Sequence, residues 1–96
     1  MSYPACPPLP LADACAIFEQ VSKASGLSVD ALTSESRALP VVTARRAVIR
    51  LMRDRKASHV TIGRRMQLDY TTVMHALKRF EQDDAAQAIV AKVRAG

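Results

Sequence analysis

Ninety-six residues, 49% of them apolar, suit one small globular domain with core for a few helices and leave little margin for a second fold. Aromatic residues make up 4% and Trp is absent, so the core must come from Leu, Val, Ile, Met and Ala, a palette that favours helices; no segment alternates over a strand's length. The formal charge of +5 is unevenly placed: Met1 to Ser36 sets Lys23 against Asp13, Glu19, Asp30 and Glu35, a net of −3, whereas Arg37 to Gln82 sets eleven cations against Asp54, Asp69 and Glu81, a net of +8. A polyanion is the natural partner of such a block.

In chain order, residues 1–10 form a proline-rich arm, with Pro4, Pro7, Pro8 and Pro10 excluding a helix. A helical domain is expected over 11–96. Leu11, Cys15, Phe18, Val21 and Ser22, with Ile17 and Ala24 alongside, recur at helical spacing up to Gly26, which closes the first helix. Ser28 caps a short second helix whose buried side is Leu27, Val29 and Leu32. Thr33 to Leu39 is a loop ahead of Pro40, a residue suited to a helix start. Val41 to Lys56 then runs as a long helix, with Val41, Ala44, Val48, Leu51 and Met52 inward, Arg46, Arg50 and Arg53 outward, and Arg45 near the boundary of the two faces.

Ser58 to Met66 reads as a short helix capped at Ser58, with Val60 and Ile62 inward; after the two-residue link Gln67-Leu68, Asp69 can cap a helix that begins near Tyr70 and runs to about Gln82. Helix, tight turn and helix over about 58–82 is the outline of a helix-turn-helix. On the second of these helices Val73, Leu77 and Phe80 share one face; Thr71, His75, Lys78, Arg79 and Gln82 share another, made of hydroxyl, imidazole, cation and amide. Ala85 to Arg94 forms a final helix, with Ile89, Val90 and Val93 able to pack back on the core.

The run Asp69-Tyr70-Thr71-Thr72-Val73-Met74-His75-Ala76 resembles the Asp-His-Thr-Thr-Val-x-His-Ala motif in the C-terminal DNA-binding domain, domain IV, of the bacterial replication initiator DnaA. The similarity extends from about Ala14 to Glu81 through Val29, Leu32, Arg45-Arg46 and Ile62-Gly63. The resemblance implies an all-α fold, a small helical bundle with a helix-turn-helix of the DnaA domain IV or Trp-repressor kind. It also implies sequence-specific binding of double-stranded DNA by a stand-alone domain, a small bacterial regulator of replication initiation or transcription in the nucleoid-associated cytoplasm. Asp69, Thr71, Thr72 and His75 match family positions that contact bases in the major groove, with Tyr70 in place of the usual His, and Arg45 matches a phosphate-gripping position.

Lys78 falls on a basic position beside the motif, and Arg46, Arg64, Arg65 and Arg79 are further candidates for phosphate contacts. Arg37 is the one cation left in a stretch, Glu35-Ser36-Arg37, where the family carries a basic cluster for the minor groove. The link Gln67-Leu68 stands for a Gly-Gly-Arg-like run. These departures imply an altered specificity.

Nothing points to catalysis, a cofactor or a metal: there is no phosphate-binding Gly-x-x-x-x-Gly-Lys-Ser/Thr loop, and His59 and His75 have no nearby cysteine or carboxylate pair. Cys6 and Cys15 lack metal-ligand spacing, and with no secretory leader or membrane-length apolar run they are expected to be reduced thiols of a cytoplasmic protein. The competing reading is a protein-interaction module that keeps the fold without specific DNA binding and meets its partner through the C-terminal segment or the proline arm. The pattern is silent on oligomeric state.

Overall fold

The computed structural model describes residues 11–34 and 37–96, with backbone alone at Leu11 and Ala12. The arm at 1–10 with Cys6, the Leu11 side chain and the pair Glu35-Ser36 lie outside the described residues. Six helices follow one another: α1 (Leu11–Ser25), α2 (Val29–Thr33), α3 (Leu39–Asp54), α4 (His59–Met66), α5 (Tyr70–Phe80) and α6 (Asp84–Ala95). No strand occurs among the described residues, and the protein is a small all-α bundle.

Helix α3 is the hub, in contact with each of the other five helices. Besides the expected inward residues it buries Thr43, Ala47 and Ile49, an arc too wide for a surface helix. It starts at Leu39 with Pro40 in its first turn and ends at Asp54, beyond which Lys56 takes a left-handed conformation (φ 66°) and the Ala57 N–H reaches back to the Met52 carbonyl. Its C-terminal end is tied down by ion pairs from Arg55 to Asp13 of α1 and from Arg94 of α6 to Asp54.

Three inward assignments are corrected by the packing. In α1 the buried stripe is Ala14, Ile17, Phe18 and Val21, at helical spacings of three and four, which turns Cys15 to solvent. Val29 opens a helix of five residues and is 37% exposed; only Leu32 of that helix is buried. Val60 and Ile62 lie two residues apart, about 200° around a helix, and cannot both face the core. Ile62, Gly63 and Met66 take the buried side of α4, and Val60 is 50% exposed. In α6, by contrast, Ala86 and Val90 are buried and Ile89 and Val93 pack against the core as expected.

The link between α4 and α5 depends on two backbone positions. Gln67 adopts the left-handed region (φ 58°), reversing the chain, and the Leu68 N–H bonds to the Gly63 carbonyl at 2.7 Å. Leu68 then passes so near α4 that a Cβ on Gly63 would collide with its carbonyl oxygen. Gly63 is the residue that lets the two helices approach this closely.

Candidate nucleic-acid interface

Ser58 caps α4 by accepting a hydrogen bond from the Thr61 N–H at 3.1 Å, as its place in the sequence predicts. Asp69 occupies the corresponding position of α5 with extended backbone, but its carboxylate makes no capping bond and lies exposed. The expected start of α5 is observed and the expected bond is not: the Asp69 side chain is directed to solvent along with its neighbours. The helix ends at Phe80, two residues short of Gln82.

Val73 and Phe80 hold α5 to the core, with Leu77 and Ala76 half-buried beside them. Tyr70, Thr71, Thr72, His75, Lys78 and Arg79 are all exposed, and among the described residues their side chains have no hydrogen-bond or ion-pair partner. At about 100° per residue, Thr71, His75 and Lys78 lie opposite the buried pair and form the midline of the outward face, while Thr72 and Arg79 flank it on one side. The crevice between α5 and α3 is bounded on that flank by Thr72, His75 and Arg79 and across it by Arg45 and Arg46, over a floor that includes Val42 and Ile49. A second concavity brings Arg37, Arg45, Gln67 and Thr72 together. The two hollows share Arg45 and Thr72, so Arg37, α3 and the start of α5 contribute to one continuous surface.

The basic candidates differ in how far they are committed within the molecule. Arg45 is half-buried, its Nε donating to the Leu32 carbonyl at 3.0 Å and its Nη2 to the Ser34 hydroxyl at 3.4 Å. Burial lowers its pKa from the ordinary guanidinium value, although an arginine remains charged at neutral pH. Arg46 reaches the other way, donating to Asp83 at 2.7 Å, with the two side chains only 18% and 13% exposed. The sequence pattern turns Arg46 outward; in the structure it closes an ion pair on the N-terminus of α6, because Asp83 arrives beside α3 from far along the chain. The other Asp83 oxygen accepts the Ala86 N–H at 3.1 Å and so caps α6. Burial alone would raise the Asp83 pKa; the Arg46 hydrogen bond, the Ala86 N–H and the attraction of the Arg46 charge outweigh it and hold the carboxyl below its ordinary value. Asp83 carried no functional weight in the sequence, and nothing local to it foretold the partner.

Arg50 and Arg53 are likewise engaged, Arg50 with Asp54 at 3.3 Å and over the Phe80 ring at 5.9 Å, Arg53 with the Ala57 carbonyl at 2.9 Å. Arg64 and Arg65 fall in the last turn of α4, the first exposed and the second half-buried, and Arg37 is exposed ahead of α3. No group of three or more His, Cys, Asp or Glu side chains among the described residues is placed to hold a metal ion.

A short helix, a left-handed turn and a second helix seated across the core define a helix-turn-helix domain. A family model described as the bacterial DnaA protein helix-turn-helix matches residues 15–79, about two-thirds of the chain, and the chain belongs to that family. Neither curated proteins nor solved structures yield a match.

Proposed function

We propose that this protein binds double-stranded DNA sequence-specifically, with α5 in the major groove, and serves as a small regulator of replication initiation or transcription. The DNA-contacting unit is about 58–82 within a helical domain of 11–96, and its place is the nucleoid-associated cytoplasm. No described helix is long and apolar enough to cross a membrane. The observation that carries the reading is the outward face of α5: its hydroxyls, imidazole and cations have no partner among the described residues. In a folded protein such groups are free to exchange water for base edges and phosphates.

Thr71 and Thr72 are short enough for close approach, and their hydroxyls can bond to purine or pyrimidine edges; His75 can donate to a purine N7 or O6. Asp69 and Tyr70 lie at the end of α5 that enters the groove, where the exposed carboxylate can accept from a cytosine amino group. Lys78, Arg79, Arg64, Arg65 and the remaining donors of Arg45 face phosphates, and Arg37 takes the adjoining minor groove. Arg46 contributes chiefly by fixing α6 against α3. The chemistry is recognition without catalysis, and it calls for no cofactor or nucleotide.

Selection of bound duplexes from a random pool, followed by mobility shifts at low salt, tests the reading. The wild type should enrich a defined sequence, and Thr72→Ala with His75→Ala should weaken binding to it by about 30-fold or more, since each good base contact contributes about 1–3 kcal/mol. Absence of binding, or equal binding by the double variant, would refute base reading and leave a protein-interaction role for the fold.

A further inference from the structure

Two large apolar side chains of α5 remain in water: Tyr70 is 57% and Met74 46% exposed, whereas Val73 is fully buried and Phe80 nearly so. Their place on the helix is informative. Taking the midline of the outward face as opposite Val73 and Phe80, Met74 lies about 70° to one side of it and Thr72 about 90° to the other, at about 100° per residue. Met74 is thus nearer the centre of the reading face than a residue already assigned a base contact. Its neighbours on the helix surface are Tyr70 and Thr71, four and three residues before it, and the half-buried Leu77 and exposed Lys78, three and four residues after it.

An exposed methionine on a surface helix is ordinarily a candidate for a protein contact. Here its exposed neighbours are the Tyr70 phenol, the Thr71 hydroxyl and the Lys78 cation, on the face that also carries His75, so apart from the half-buried edge of Leu77 the surface it would share with a partner carries hydroxyls and positive charge. The occupant that fits both the charge of the surroundings and the apolar tip is a DNA major groove. There the one apolar group on a base edge is the thymine C5-methyl. A thioether on an unbranched, rotatable chain can follow that methyl without a fixed geometry.

We propose that Met74 is a specificity-determining residue that reads a thymine methyl on the side of α5 away from α3. The proposal rests on the DNA-binding reading above and assigns this chain a contact that complements the threonine and histidine set. Covering one methyl group accounts for a preference of about fourfold.

The test uses the duplex selected by the wild-type chain, with each thymine replaced singly by uracil so that only the methyl is lost. Wild type should weaken about fourfold at one position. Met74→Ala and Met74→Gln should bind the thymine duplex correspondingly less well and show no further loss with uracil at that position, with unchanged thermal unfolding and salt slope. A uracil profile in both variants identical to that of wild type, or a wild-type profile flat at every position, overturns the proposal while leaving DNA binding intact. Failure of the wild type to select any duplex instead overturns the DNA-binding reading from which the proposal starts.

Discussion

Helices α3 and α5 both show an apolar stripe on one side and basic residues on the other, yet the structure uses the two polar faces differently. On α3, Arg45, Arg46, Arg50 and Arg53 each donate to an acceptor within the molecule. On α5, the side chains of Thr71, Thr72, His75, Lys78 and Arg79 have no such partner among the described residues. The cations of α3 hold the bundle together around the hub helix; those of α5 stand exposed, outside any such network among the described residues. A basic helix face is therefore a site only to the degree that the fold leaves it unpaired. Arg45 stands between the two cases, bonded to the end of α2 yet lining the hollows that open toward α5.

The contrast breaks most readily where the two helices are set relative to each other. Gly63→Ala puts a Cβ against the Leu68 carbonyl and should lower stability by about 3 kcal/mol, as backbone overpacking does, and loosen the seating of α5. Denaturant unfolding measures the first, and DNA affinity should fall with it even at temperatures where the variant is folded.

The next largest effect falls on the α3 network. Asp83→Ala removes the α6 cap and the Arg46 partner together and should cost about 2 kcal/mol; Asp83→Asn keeps a capping oxygen and should cost about half as much. The acid limb of stability sharpens this. A carboxyl whose folded pKa is depressed contributes its full stabilisation above the unfolded value of about 3.9 and loses it as pH falls through the lower folded value. Melting temperature should drop below about pH 4 in the wild type, and the part due to Asp83 should be missing from Asp83→Asn.

The smallest effects separate the neighbouring arginines. Arg45→Ala should weaken binding about equally on all sequences and reduce the salt dependence by about one contact. Arg46→Ala should act mainly on stability and leave the salt slope nearly intact. A salt slope lowered equally by both changes would mean that the Asp83 pair opens on DNA and that the division between the helices is less complete than the free structure shows.

The six helices could be read from the chain because their signals are local. Gly26 and Pro40 mark a helix end and start, Ser58 supplies a capping oxygen, and the apolar spacing of α3 and α5 gives their buried sides. Two of the errors lie in short elements, where one or two apolar residues cannot fix a phase: Val29 in α2 and Val60 in α4 are exposed because too few neighbours constrain the helix rotation. Cys15 is a one-residue error of phase in a stripe whose centre is Ala14 and Ile17.

By itself the sequence determined the helical class, the order of elements, the helix-turn-helix and the composition of the outward face of α5, all of which follow from spacing and caps within a turn or two. Only the tertiary structure decided which cations are already held. Arg46 meets Asp83 and Arg94 meets Asp54 across gaps of 37 and 40 residues, distances over which periodicity carries no information. The role of Gly63 is of the same kind, since a missing Cβ has meaning only when another stretch of backbone fills the space it leaves.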